Sequence, residues 1–237
     1  MQWEGFPLHF YIGHKRKQED GMRLPGFKGA IFDLDGTLLD SMYVWTDVNR
    51  EFLRKRKLSA PVGYVEAITP MFSNDAASYA ISTLGLGDEP EALIAEWNEM
   101  ALAIYANEVK LKDGADEYLR RLKEDGVKMG VATALTSDLY EPVLRHNGIY
   151  EFFDAFVSSH EPGRSKAFPD VYLLAAERIG VSPADCVVFE DIRTGVLGAK
   201  AGGFTTCGVY EPWSFGEQDG LAEAADYYIR SFVELLS

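Results

Sequence analysis

The feature that most constrains this chain is an alternation of short apolar segments and helical segments in its second half. Strands are predicted at 127–132, 153–158, 186–189 and 205–209. Helices are predicted at 114–122, 137–146, 169–179 and 194–201, three of them closed by Gly126, Gly148 or Gly180. Strands that alternate with helices favour a Rossmann-like α/β core, a parallel sheet with helices on both faces.

The first part of the chain has a different pattern. One more strand is predicted at 29–33, and Gly36 permits a tight turn after it. From residue 42 to about 107 the periodicity is helical, and breakers at 59–61, 69–70 and 85–90 divide it into about four helices. Pro90 suits the first turn of the last of them.

This pattern predicts three segments. Residues 42–108 are expected to form a small all-helical cap, inserted after the first strand of a discontinuous α/β core made of 25–41 and 109–237. Residues 1–24 follow neither period and are interpreted as a dispensable N-terminal extension.

Charge and composition limit the partners. The formal net charge of −14 disfavours nucleic acid and anionic membranes, and a phosphorylated ligand would need local positive charge. No apolar run reaches transmembrane length, and the first residues have the reverse order of a signal peptide, so a cytoplasmic protein is expected.

The two cysteines, Cys186 and Cys207, are interpreted as buried thiols, although a disulfide between them stays open. The sequence does not indicate an oligomeric state.

Polar residues cluster where the predicted strands end. Since the carboxyl ends of parallel strands share one edge of the sheet, we expect these side chains to meet there. Four carboxylates at one place repel one another unless a cation lies among them, and oxygen ligands suit Mg²⁺. The site is predicted to contain Asp33, Asp35, Thr133, Lys166, Glu190 and Asp191.

Four motifs in order resemble the haloacid dehalogenase-like hydrolase superfamily. They are Asp33-Leu34-Asp35-Gly36-Thr37, Thr133 after an apolar strand, Lys166 before Pro169-Asp170, and Glu190-Asp191 before Gly195. The resemblance covers residues 29–209, and the helical insert occupies the position of the C1-type cap of that family.

The resemblance implies a role for each residue. Asp33 is the expected nucleophile, and Asp35 the acid and base whose backbone carbonyl also binds the metal. Thr133 and Lys166 are expected to hold the phosphoryl group. Asp191 is an expected Mg²⁺ ligand together with Asp33, and Glu190 supports the ion directly or through water. The implied activity is Mg²⁺-dependent hydrolysis of a small phosphorylated metabolite through an aspartyl-phosphate.

The chain departs from the family pattern at Ala134, Ala167 and Ile192, which leaves the charged groups in place. Alternatives are a β-phosphoglucomutase-like phosphosugar mutase, a dehalogenase, or a non-catalytic protein on the same scaffold. Trp45 replaces a histidine that such mutases usually carry, and Asp35 disfavours a dehalogenase. The three retained aspartates disfavour a non-catalytic protein.

Other residues were assigned from local patterns. Asp40 and Ser41 are predicted to cap the first cap helix, and His160 is interpreted as a surface residue. Trp45 could lie in the core or in the cleft. Together with Tyr64 and Phe72 it indicates a small or partly apolar leaving group.

Overall fold

The computed structural model describes residues 24–68, 71, 73–214 and 216–236. A six-stranded sheet has the order β5-β4-β1-β6-β7-β8, and all of its pairs are parallel. The predicted Rossmann-like α/β class is therefore confirmed. The strands are β1 (Gly29–Phe32), β4 (Lys128–Thr133), β5 (Ala155–Ser158), β6 (Cys186–Glu190), β7 (Thr205–Val209) and β8 (Tyr227–Ile229), and a separate pair is formed by β2 (Leu39–Asp40) and β3 (Lys110–Leu111).

The helices of the core cover both faces of the sheet, because the strands are apolar on both sides. On one face Ile31 and Val188 pack against Tyr172 and its helix, and on the other Phe32 stacks on Phe189 with ring centroids 4.6 Å apart. These helices are α5 (Ala115–Glu124), α6 (Ser137–His146), α7 (Asp170–Ile179), α8 (Arg193–Ala201) and α9 (Leu221–Ala224).

Four further helices occur between β2 and β3, which pair antiparallel where the chain leaves and re-enters the core. We propose that this helical segment is a cap. Phe52 and Trp97 meet edge to face inside it at 5.6 Å. The helices are α1 (Val44–Arg56), α2 (Tyr64–Ile68), α3 (Ser73–Leu84) and α4 (Pro90–Asn107), the last beginning at Pro90 as predicted.

Several local predictions need correction. The first cap helix is preceded by Tyr43 and has no side-chain cap, so Asp40 and Ser41 do not cap it. The strand predicted at 153–158 begins only at Ala155, because a 3₁₀ turn precedes it. The short strands β2, β3 and β8 were not predicted, since two or three residues show no period.

Cys186 and Cys207 are buried free thiols, as predicted. Within the described ranges, no helix combines the length and apolarity needed to cross a bilayer. Residues 1–24 were interpreted as a dispensable N-terminal extension. Except for Leu24, this segment lies outside the described residues.

Candidate active site

The carboxyl ends of the two central strands bring the first acidic residues together. Phe32 pairs with Phe189, and the amide of Asp33 donates to the carbonyl of Phe189 at 3.1 Å. Asp33 therefore emerges beside Glu190 and Asp191, which end and follow β6. All three side chains are buried.

Lys166 joins two of these carboxylates from the loop before α7. Its Nζ contacts Oδ1 of Asp33 and donates to Oε1 of Glu190 at 2.7 Å. The Tyr172 hydroxyl also donates to Oε1 of Glu190, at 2.8 Å. The loop can reach this position because Gly198 lacks a side chain: a Cβ there would lie 2.0 Å from the carbonyl oxygen of Lys166.

Asp191 is held by groups from two other segments. The Thr37 hydroxyl donates to Oδ1 at 3.1 Å, and the Ser214 hydroxyl donates to Oδ2. Gln218 in the same loop donates its Nε2 to the backbone oxygen of Asp191 at 2.7 Å. Ser214 and Gln218 were missed in the sequence because they lie in an irregular loop after β7, far from any motif.

Asp35 has a separate environment. Its Oδ1 accepts hydrogen bonds from Ser41 at 2.6 Å and from the Tyr105 hydroxyl at 2.8 Å. Tyr105 belongs to α4, so one helix of the proposed cap contacts a core carboxylate directly. The hydroxyl of Ser41, which was predicted to cap a helix, is instead a partner of Asp35.

Thr133 ends β4, next to β1 in the sheet, and is buried. Its Oγ1 accepts a hydrogen bond from the amide of Leu135 at 3.1 Å. The hydroxyl group lies at the same edge of the sheet as the carboxylates.

Burial makes the ionised acids unfavourable. Desolvation raises the pKa of Asp33, Glu190 and Asp191 to about 7, against the lowering effect of Lys166. Desolvation also raises the pKa of Asp35, while its two hydroxyl donors act in the opposite direction. Burial disfavours the charged form of Lys166, but Asp33 and Glu190 more than offset this and raise its pKa.

The donor set fits a hard divalent cation. Asp33, Glu190 and Asp191 each offer a carboxylate oxygen, and these atoms lie within 4.8 Å of one another. Oε2 of Glu190 is buried with no hydrogen-bond partner among the described residues. Gly36, at φ +74°, leaves room for the Asp191 carboxylate, because a Cβ there would lie 2.5 Å from Oδ2 of Asp191. The Asp35 side chain is outside this cluster.

A cavity of about 300 Å³ begins at Asp35 and extends between the core and the proposed cap. Its lining includes Trp45, Asn49, Trp97 and Leu135, while the exposed His160 lies at its edge. The structure thus places Trp45 at the cleft. Tyr64 is fully buried against Tyr79 and does not line the cavity, which corrects the inference drawn from it, and Phe72 lies outside the described residues.

Comparison with known proteins agrees with this geometry. The family model for the haloacid dehalogenase-like hydrolase matches residues 27–203, most of the chain. This chain therefore belongs to the haloacid dehalogenase-like hydrolase family. It is an enzyme of the phosphoric monoester hydrolase type, since its curated relatives include several named phosphatases.

Two of these relatives and one structure illustrate the similarity. Fructose-1-phosphate phosphatase YqaB of Escherichia coli is 33% identical, over 75% of this chain and 93% of the relative. A phosphoglycolate phosphatase of Xanthomonas campestris is 29% identical, over 88% and 93%. A putative β-phosphoglucomutase from Thermotoga maritima superposes with a TM-score of 0.78 at 25% identity, covering 88% of this chain and 97% of that one.

Proposed function

We propose that the chain hydrolyses the phosphate monoester of a small metabolite through an aspartyl-phosphate on Asp33, with Mg²⁺ as cofactor. The observation that carries this proposal is the buried bridge from Asp33 through Lys166 to Glu190, beside Asp191. This bridge supports the proposal because a carboxylate that could act as the nucleophile, a counter-charge and carboxylate oxygens that could bind a cation lie together at the ends of β1 and β6.

In the first step an Oδ of Asp33 attacks phosphorus, and the bond from phosphorus to the leaving oxygen breaks. Asp35 delivers a proton to that oxygen, so it must hold one when the ester binds, and burial favours the protonated form. Lys166 and the Thr133 hydroxyl hold the phosphoryl oxygens. Asp33, Glu190, Asp191 and the backbone carbonyl of Asp35 would hold Mg²⁺, which when bound would supply positive charge to offset the repulsion between the anionic nucleophile and the phosphate.

In the second step Asp35, now ionised, removes a proton from water. The water oxygen attacks phosphorus, the bond from phosphorus to Oδ of Asp33 breaks, and inorganic phosphate leaves. Ser41 and Tyr105 hold Asp35 in place between the two steps.

A phosphosugar mutase is a second candidate because of the similarity to the β-phosphoglucomutase-titled structure. Hydrolysis is favoured because Trp45, at the start of α1, stands where the resemblance places a mutase histidine. A mutase would form an isomeric sugar phosphate without net release of inorganic phosphate.

The test measures phosphate release by the full chain from p-nitrophenyl phosphate and a panel of phosphorylated metabolites, with Mg²⁺ or with chelator. We expect turnover that stops in chelator and returns with Mg²⁺. Asp33→Asn should lose at least about a thousandfold in kcat, the scale of losing a covalent nucleophile. Asp125→Asn, an exposed change at the end of α5, is the matched control. Normal turnover by a folded Asp33→Asn variant would refute the mechanism.

A further inference from the structure

The proposed cap has an uneven distribution of charge. Residues 58–109 contain no Lys, Arg or His, yet they include Glu66, Asp75, Asp88, Glu89, Glu91, Glu96, Glu99 and Glu108. The basic residues of the cap are therefore confined to α1 and the residue that follows it.

The arginines of α1 are engaged away from the cavity. Arg56 donates to Asp88 at 2.7 Å and to Glu96 at 2.5 Å, and Arg54 donates to Glu51 at 2.6 Å. The residues that α1 contributes to the cavity are Trp45 and Asn49. Among the described residues of the lining there is no Lys or Arg, and the ionisable side chains are Asp35 and the exposed His160.

Two residues of the lining each carry a buried hydrogen-bonding atom without a partner in the described part of the chain. Nε1 of Trp97 and Oδ1 of Asn49 belong to lining residues that are 5% and 6% exposed, and neither atom has a partner in the described part of the chain. The amide nitrogen of Asn49 donates to the backbone oxygen of Trp45 at 2.8 Å, which fixes the side-chain oxygen as the free acceptor. A buried donor and a buried acceptor without partners favour a ligand that supplies hydroxyl groups.

Beside the polar Asn98, Ser159 and His160, most of the remaining lining is apolar. Trp45, Ile68, Met71, Ile94, Trp97 and Leu135 line the cavity. Its volume lies at the lower end of the range of about 300–1,000 Å³ found for small-molecule pockets, so it suits one ring or a short chain. The C–H faces of a sugar or polyol can pack on such aromatic and aliphatic surfaces while their hydroxyls bond to Asn49 and Trp97.

We infer that the leaving group of the substrate is neutral, hydroxyl-bearing and partly apolar, as in a sugar or polyol monophosphate. The inference rests on the proposed function and adds to it the substrate class. A leaving group with a carboxylate or a second phosphate would enter a cavity whose described lining contains no Lys or Arg, beside the carboxyl group of Asp35, and would lose its hydration without an ammonium or guanidinium partner.

The experiment compares substrates that share a carbon skeleton and differ in whether the leaving group carries a second anionic group. The first pair is 2-hydroxyethyl phosphate and 2-phosphoglycolate, and the second is fructose 1-phosphate and fructose 1,6-bisphosphate. We expect kcat/KM to favour the neutral member by about tenfold or more in each pair, because an uncompensated charge costs more than one hydrogen bond. A nucleoside monophosphate in the same panel separates a nucleoside from a sugar or polyol.

A charge-introducing variant tests the cause of the selectivity. Asn98 is exposed and lines the cavity. Asn98→Lys should therefore raise kcat/KM for the anionic members of the two pairs. The ratio of kcat/KM between the neutral and the anionic member should fall at least threefold, in line with one exposed ion pair. Asn107→Lys, on the same helix but outside the cavity, is the matched control and should leave the ratio unchanged.

A second variant tests the free donor. Trp97→Phe keeps an aromatic ring and removes the N–H, so KM for fructose 1-phosphate should rise about threefold to tenfold, while that for p-nitrophenyl phosphate changes less. Equal or better turnover of the anionic members by the wild-type enzyme would overturn the inference and leave the phosphatase assignment intact. Absence of turnover with every ester, including p-nitrophenyl phosphate, would contradict the proposed function itself.

Discussion

The two regions that meet at Asp35 differ in the polarity of their side chains. At the sheet edge, Asp33, Glu190, Asp191 and Lys166 concentrate charge in a buried place, whereas the cavity under the proposed cap is lined by tryptophans, aliphatic groups and amides. The sheet edge is therefore suited to a dianionic phosphoryl group and a cation, and the cavity to a neutral skeleton. We infer that reaction type and substrate choice reside in different parts of the chain.

This difference has an energetic consequence. Burying several carboxylates is unfavourable, and the pKa values raised to about 7 express that cost. Under the proposed function, this cost is offset when the same groups bind a cation and a phosphate. The described residues of the proposed cap carry no comparable cost of buried charge. They are stabilised by apolar packing, such as that of Phe52 against Trp97.

Among the changes that separate the two regions, the largest effect is expected from removing the Lys166 ammonium from the charged region. Lys166→Met keeps most of the side-chain volume but leaves Asp33 and Glu190 without their shared counter-charge. The rate should fall by at least about a hundredfold, the scale of losing one electrostatic stabiliser. Steady-state kinetics with p-nitrophenyl phosphate and Mg²⁺ checks this.

The control is Lys123→Met on α5, where the ammonium contacts only backbone carbonyls of Glu151 and Phe152 among the described residues. Because the cap cavity is unchanged, the Lys166 variant should retain the ratio of kcat/KM between neutral and anionic leaving groups. A loss of less than tenfold would show that another group holds the phosphate.

The same comparison explains what could be predicted from sequence. The α/β alternation and the motif residues are local signals: apolar runs end in carboxylates, and a parallel sheet collects those ends. On this basis the sequence predicts a shared site for Asp33, Lys166, Glu190 and Asp191, and the structure brings these side chains into contact or close proximity.

The supporting groups could not be identified in that way. Ser41, Tyr105 and Ser214 each contact a carboxylate of the candidate site, but they come from the turn between β2 and α1, from α4 and from the irregular loop after β7. Ser41 looked like a helix cap because a serine before a helix commonly is one. Tyr105 has the spacing of a core residue, and only the placement of α4 against the core reveals its hydroxyl contact. Long-range placement of this kind leaves no local pattern.

A smaller effect is expected where the two regions touch. Tyr105→Phe removes the hydroxyl that α4 donates to Asp35, leaving Ser41 as its donor. A hydrogen bond to a charged group contributes about 1.5–3 kcal/mol, so kcat should fall roughly tenfold or more. A positioning role also predicts a changed pH profile, since Asp35, the proposed acid and base, has lost one of two donors that favour its ionised form.

Tyr79→Phe, in the same cap region and stacked on Tyr64, is the matched control. It should leave both kcat and the pH profile unchanged. If Tyr105→Phe lowered only the melting temperature and moved neither kcat nor the pH profile, the contact would be structural and the two regions would be independent.

The smallest effect concerns stability of the metal-free enzyme. Asp33, Glu190 and Asp191 have folded-state pKa values of about 7, above the ordinary values of 3.8 and 4.5, because burial favours their protonated forms. Their contribution to stability is therefore fully present below the unfolded pKa values and is lost as the pH rises through about 7. In chelator, the melting temperature should fall by roughly 5 °C between about pH 5.5 and about pH 8.5, given 2–4 °C per kcal/mol for a chain of this size.

Mg²⁺ should restore most of this loss of melting temperature at the higher pH, because it favours the ionised carboxylates. Asp191→Asn, which removes one of the three titrating groups, should flatten the pH dependence, while Asp125→Asn should not. A melting temperature that rises with pH in chelator would contradict the view that burying these ionised carboxylates lowers the stability of the metal-free enzyme.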